Sequence, residues 1–327
     1  VIATTTGAWT ASAATDNAGV DAAAFTINVA SAGAVDLTSA GVSSAGYTVV
    51  STGTSAVTGS SDADTLTNTS GNATMVGLAG IDTFVATADA LTISDLGAGG
   101  LVDIVDLNGG TVIATTTGAW TASSATDNAQ ATASFTINVA SAGAVDLTSA
   151  GTSVGGYTVL STGTSAVTGS DDADALTNTS GNATMVGLAG IDTFTATAGA
   201  LTISDLGVGN AADVVTVAAG ATVAATVTGN WTASSSTRNQ GSEAADFTIA
   251  VASTHTVDLT SATAGAAEGY SITSTGTGAI TGSSGNDIIV DSSGVQDIKG
   301  LAGDDAITLT AGVASTVVLS ATNSGGI

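Results

Sequence analysis

The sequence predicts an all-β chain: a right-handed parallel β-solenoid, or β-roll, built from three tandem repeats of about 111 residues. Three observations carry that prediction. Asp64 and Asp82, Asp174 and Asp192, and Asp287 and Asp305 form pairs spaced eighteen residues apart, each with a glycine (Gly80, Gly190, Gly303) just ahead of the second Asp. Eighteen is twice nine, the period of a coiled parallel β-structure with glycine-rich turns. Finally, a nine-residue frame stepped from Gly59 and its counterparts puts an apolar residue at its eighth position every time. These are Val57, Leu66, Met75, Phe84 and Ile93, then Val167, Leu176, Met185, Phe194 and Ile203, then Ile280, Ile289, Ile298 and Ile307. Such residues stack inward, one per strand, and form the core.

The repeats divide the chain into 1–111, 112–222 and a diverged 223–327. Val1 to Trp9 returns unchanged as Val112 to Trp120 and more loosely as Val223 to Trp231. Phe25, Phe135 and Phe247 open a second shared stretch, and Ser51, Ser161 and Ser274 a third. Length differences fall between Trp and Phe, and between Asp36 and Tyr47 or their counterparts, where loops tolerate insertion. Within a copy the elements read as strands. Phe25-Thr-Ile-Asn-Val, Tyr47-Thr-Val, Leu91-Thr-Ile and Val102-Asp-Ile-Val-Asp-Leu alternate with period two. Clusters of Gly, Ser, Asn and Asp punctuate them every nine to twelve residues. About ten short strands per copy are expected, and β-branched residues and Gly break every candidate helix. About five coils per copy at roughly 4.8 Å each would lengthen a rod by about 24 Å per copy. Three immunoglobulin-like sandwiches are the alternative, since about 110 residues suits that fold.

Composition narrows the function. The 327 residues carry 27 acids, two basic residues (Arg238, Lys299) and a formal charge of −25. Nucleic-acid binding needs basic side chains to displace counterions, so it is excluded as a class, as is electrostatic docking to an anionic membrane. Cations are the favoured partners. No apolar run reaches the roughly 18 residues of a membrane helix. There is no Cys, hence no disulfide or thiol chemistry. A secreted protein without disulfides needs another staple, for which metal is the obvious choice. The chain opens at a repeat boundary without Met, as expected of a processed chain or a segment of something longer.

The frame from Gly59 reads G-S-S-D-A-D-T-L-T, N-T-S-G-N-A-T-M-V, G-L-A-G-I-D-T-F-V. It resembles the calcium-binding nonapeptide of the repeats-in-toxin family, G-G-x-G-x-D-x-U-x. The best matches start at Gly77, Gly187 and Gly282, and Leu91 to Leu107 is similar to the stretch that closes such blocks. The resemblance covers about a quarter of each copy directly. It implies a coil of two nonapeptides, each a six-residue turn and a three-residue strand, so that residues eighteen apart lie above one another. It also implies calcium as the bound ion, with Asp64, Asp82, Asp174, Asp192, Asp287 and Asp305 as ligands beside turn carbonyls, the oxygen donors calcium takes. Glycine turns would aim those carbonyls inward. Departures fall at Ala73, Ala183 and Gln296, and at Ser55, Ser165 and Gly278, all on the opposite edge. Calcium is therefore expected on one edge, about one ion per copy. Position two is Ser or Leu where the family has Gly.

Each feature also has a plainer reading. The aspartates are good turn formers. Asp62, Asp172 and Asp304 read as solvated turn residues, and Asp103 and Asp213 as candidates for a second site. Trp9, Trp120 and Trp231 would suit a sugar-stacking ladder for a cell-surface polysaccharide, or pack. The Thr4-Thr5-Thr6 runs would suit ice, but Thr is simply a good strand former. His255 stands where the other copies have Gly33 and Gly143, and reads as a loop residue. The acid pairs lack the base or cationic clamp that a glycosidase dyad would need, so no enzyme is expected. Sequons at Asn68, Asn72 and Asn230 are too short a pattern to weigh. The expected function is a secreted structural protein of a bacterial surface layer, sheath or extracellular filament that self-associates and folds with calcium. The stalk or ligand-binding region of an adhesin, and an accessory domain of a secreted hydrolase, are the other readings. The resemblance further implies type I export.

Overall fold

The computed structural model describes residues 1–318 except 19–24, 31, 42, 44, 101, 129–133, 141, 152, 266–267, 293–296 and 311–313. It divides into two compact units, Val1–Leu160 and Ser161–Ile327. Both are parallel β-solenoid, and every strand pairing among the described residues is parallel. That rules out the immunoglobulin-like alternative, whose sheets are antiparallel. Among the described residues no helix is long and apolar enough to cross a membrane.

In the first unit, successive strands from Ile2 to Thr116 alternate between two sheets, and Trp120–Thr121 and Ala144–Asp146 then open a third. One of the two stacks Ile2–Thr5, Thr26–Val29, Thr48–Ser51, Thr65–Asn68, Thr83–Ala86 and Ile104–Leu107. The other stacks Ala8–Thr10, Ala34–Asp36, Ala56–Thr58, Ala73–Val76, Ala90–Leu96, Thr111–Thr116 and Ser134–Val139. The eighteen-residue spacing becomes the register itself: Leu66 lies beside Phe84, and Val57 beside Met75. The period-two pattern sends alternate side chains inward. All fourteen residues at the eighth frame position are buried, none more than 7% exposed. The inward stack is thus a row of Val, Leu, Met, Phe and Ile at coil spacing. Phe84→Ala would remove the largest side chain in its coil, with an expected loss of about 3–5 kcal/mol, measured by urea unfolding.

The second unit opens two-sided, with Ala175–Asn178, Thr193–Ala196 and Val214–Val217 facing Ala166–Thr168, Asn182–Val186 and Gly199–Leu206. It becomes three-sided where the coils lengthen. Ala221–Val227, Trp231–Thr232 and Arg238–Asn239 each join a different sheet, as do Phe247–Val251, Val257–Asp258 and Thr263–Ala264 in the next coil. The third Trp-to-Phe segment, read from sequence as a loop, therefore contains a short strand, Arg238–Asn239. Two-sided coils resume with Glu268–Ser274, Ile280–Thr281, Asn286–Asp291, Asp297–Lys299, Ala306–Leu309 and Thr316–Val318.

Among the described residues eleven strands run from Ile2 to Leu107. Eleven is odd, so with strands alternating between two sheets this stretch ends on a half turn. A repeated segment consequently returns on the other sheet. Thr26–Val29 lies in one sheet of the first unit and its counterpart in Ser134–Val139 in the other. In the second unit Ala175–Asn178 and its counterpart in Asn286–Asp291 are likewise in different sheets.

Candidate metal centre

The paired aspartates sit where one sheet hands over to the next. The first Asp of each pair closes a turn that starts on a glycine. Ser60 N–H donates to Asp64 Oδ2 at 2.6 Å, and Ser170 and Ser283 donate to Asp174 and Asp287 at the same distance. The glycine is required by close approach. A Cβ on Gly77 would lie 2.2 Å from Asp82 Oδ2, and one on Gly59 would lie 2.6 Å from Asp64 Oδ2. This explains the five-residue Gly-to-Asp spacing in physical terms: the carboxylate folds back over the start of its own turn.

The other oxygen of each carboxylate reaches one coil back. Tyr47 N–H donates to Asp64 Oδ1 at 2.7 Å, Asp64 N–H to Asp82 Oδ1 at 2.8 Å, and Asp82 N–H to Asp103 Oδ1 at 3.1 Å. In the second unit Asp174 N–H donates to Asp192 at 2.9 Å and Asp192 N–H to Asp213 at 3.0 Å. Asp287 accepts from Tyr270 N–H at 2.7 Å, and its own N–H donates to Asp305 at 3.0 Å. The six predicted residues are therefore brought together in their pairs, linked through the main chain. Their carboxylates point the same way along the stack. Asp103 and Asp213 join as a third rung, each also accepting from Gly97 or Gly207 N–H at 2.8 Å.

These carboxylates are buried, with Asp64 and Asp82 each 1% exposed. Burial pushes Asp64 up to about 6 and Asp287 to about 7, partly countered by the N–H donors. Asp82 and Asp192 are pushed up to about 8, first by burial and further by the charges of neighbouring rungs. Asp103 and Asp213 are raised for the same primary reason. A stack of ionised acids held this way carries a standing cost that a proton or a cation would relieve. Among the described residues no group of three or more Asp, Glu, His or Cys side chains is arranged to hold a metal ion.

Several features were not evident from sequence. Asp95 accepts from Gly77 N–H at 3.0 Å and Leu78 N–H at 2.7 Å, and Asp205 does the same for Gly187 and Leu188. These bonds hold Leu78 and Leu188 at φ 76° and 72°, a left-handed conformation that favours glycine, the residue the nonapeptide has there. On the opposite edge, buried Asn68 donates to the carbonyls of Gly71, Ala88 and Ala90, and Asn178 to those of Gly181, Ala198 and Ala200. The sequence signal for these two was an Asn where the nonapeptide begins with Gly. Gln296, a predicted departure on that edge, lies outside the described residues.

Trp120 and Trp231 are interior. They pack on Phe135 and Phe247 at 6.3 and 6.4 Å between ring centres, and those rings pack on Tyr157 and Tyr270. Each indole Nε1 donates at 3.0 Å to the main-chain carbonyl of the third rung, Asp103 or Asp213. Neither ring presents a face to a sugar. Asp62 is half-buried and accepts from Ser43 N–H at 2.8 Å, so it is tied down as well as turn-forming.

The chain matches no protein-family model, and no curated protein and no solved structure matches it.

Proposed function

We propose that this chain is a non-enzymatic structural protein: three tandem solenoid blocks of the repeats-in-toxin kind, stabilised by calcium and assembling outside the cell into a bacterial surface layer, sheath or filament. The observation that supports it best is the buried carboxylate ladder. Its acids occupy a stack whose ionised form is disfavoured by burial, and a divalent cation is the partner that so acidic a chain attracts. Asp64 with Asp82, Asp174 with Asp192, and Asp287 with Asp305 are the proposed ligands. The donor chemistry fits: carboxylates and turn carbonyls are hard oxygens. A carboxylate has about four lone-pair sites, so the N–H bonds leave each one able to accept further. The Gly77 carbonyl faces Gly59 on the same side as Asp64 Oδ2 and supplies a further oxygen. Nothing in the ladder resembles a catalytic pair, since each acid is engaged by main-chain donors and sits in a packed turn.

Thermal unfolding followed by circular dichroism, with calcium or with chelator at pH 8, tests this. Calcium at a hundred times its Kd is expected to add about 2.7 kcal/mol per site. Unchanged melting in chelator and calcium would remove the metal from the proposal.

A further inference from the structure

Thr263–Ala264 ends its sheet in the middle of the second unit, while the solenoid continues past it through Glu268–Ser274 and Asn286–Asp291. The coil has dropped from three sides to two, so among the described residues no strand is laid on this one. Thr263 N–H donates to the Thr237 carbonyl at 3.0 Å and Gly265 N–H to the Asn239 carbonyl at 2.8 Å, both in the coil below. Main-chain groups of successive strand residues alternate in direction. Those of Ala264 therefore face away from the strand below, as an open sheet edge presents them.

Copy one closes the same edge. The equivalence runs through a buried asparagine: Asn239 pairs with Ala264 and donates to the Gly269 carbonyl at 2.9 Å, as Asn128 pairs with Ser153 and donates to the Gly156 carbonyl at 2.8 Å. Ser43 holds the place of Ser153, each standing four residues before a Tyr, Tyr47 or Tyr157. Ser43 N–H donates to Asp62 Oδ2 at 2.8 Å, and Asp62 stands two residues before Asp64. Two residues before Asp287 is Gly285, which has no side chain to offer. A Cβ there would lie 2.0 Å from the Glu268 carbonyl oxygen. Among the described residues no acceptor meets Ala264 N–H.

Beside that N–H is a cavity of about 500 Å³, with Ala264 and Gly265 on one side and Glu268, Gly285, Asn286 and Asp304 around it. That is the size of a ligand pocket. Glu268, Asn286 and Asp304 follow one another at eighteen residues, and their places read Ala45, Ala63 and Ile81 in copy one and Gly155, Ala173 and Ile191 in copy two. Glu268 lies beside Asn286, whose Oδ1 accepts from Asp304 N–H at 2.8 Å. Copy three has thus lost the internal acceptor and gained two outward acids at one notch. Arg238 lies one coil lower, beside Thr263, and does not line it.

We propose that this notch docks an extended peptide segment of a partner protein that carries a Lys or Arg. The segment lies on the open edge at Ala264, where its carbonyl takes the place that Asp62 Oδ2 holds in copy one, and its cationic side chain reaches Glu268 and Asp304. Strand addition to an exposed edge binds peptides through main-chain bonds and selects them by side-chain pockets. A cation complements two carboxylates in a chain of charge −25. The inference goes beyond the structural role and does not depend on calcium in the ladder.

Fluorescence anisotropy of labelled acetyl-Thr-Val-Lys-Val-Thr-amide, titrated with the full chain in chelator and in calcium, tests it. The expected result is saturable binding that the same peptide with Glu in place of Lys does not show. Ala264→Pro removes the outward N–H at an edge position, where proline is tolerated. It is expected to weaken binding about tenfold with an unchanged circular dichroism spectrum. Glu268→Gln and Asp304→Asn are expected to weaken it about two- to fivefold each. Equal binding of the Lys and Glu peptides, or Lys-peptide binding that ignores Ala264→Pro, would overturn the proposal. Competition by calcium that disappears in Glu268→Gln would assign the notch to the ion instead. Self-association in sedimentation velocity that Ala264→Pro abolishes would assign it to a second copy. None of these outcomes bears on the calcium ladder, which the melting experiment reads separately.

Discussion

The Asp82→Asn variant is expected to be more stable than the wild type at pH 8 in chelator, and to respond less to calcium. The amide side chain would keep an oxygen for the N–H of Asp64, now bonded at 2.8 Å, and would remove the buried charge. An unfolded aspartate loses its proton near 3.8, whereas Asp82 in the fold holds it to about 8. Between those values the native state binds more protons, so stability contributed by this group is full in acid and is lost as pH rises towards about 8. A shift of that size corresponds to several kcal/mol, on the order of 1.4 for each pH unit. The same sign holds for Asp192. Urea midpoints of the wild type in chelator should therefore fall from about pH 4 to pH 8, with the Asp82→Asn variant falling less. At the acid end the two proteins should differ little. An Asp82→Asn variant less stable than the wild type at pH 8 in chelator would show that the carboxylate is not held at a cost.

The second large effect is expected from a single methyl group. Gly77→Ala would put a Cβ 2.2 Å from Asp82 Oδ2, and Gly187→Ala would do the same to Asp192. The carboxylate would have to leave its turn, breaking its bond to the preceding rung and stranding a buried N–H. Overpacking costs about 1–3 kcal/mol, and an unsatisfied buried donor about 1–3 more. Either variant should lose roughly 2–6 kcal/mol in urea unfolding. Gly118→Ala, whose Cβ would meet only the Gly97 carbonyl at 3.9 Å, is the control and should be close to neutral. Equal losses in all three would mean that the glycines serve chain flexibility and not the ladder.

The inward row was legible because its period is short and strict: Leu66, Met75 and Phe84 recur every nine residues and all three are fully buried. The aspartates were legible for the same reason. Asp103 was harder to place, since it follows Asp82 by twenty-one residues and so falls out of the frame, although it makes the same bond. The direction of the carboxylates was not legible at all. Spacing says that two residues share an edge, but the choice between facing each other and facing the main chain below is made by N–H groups that every sequence possesses. The third strand at Arg238–Asn239 was hidden because two residues carry no periodicity.

The odd count of strands between Ile2 and Leu107 has a geometric result. A motif that occurs once in such a stretch returns on the other sheet in the next. In the second unit, Asp174 and Asp192 lie just ahead of Ala175–Asn178 and Thr193–Ala196, which share one sheet. Asp287 and Asp305 instead lie at the starts of Asn286–Asp291 and Ala306–Leu309, which belong to another. Further periods of this kind would set their acidic margins left and right in alternation.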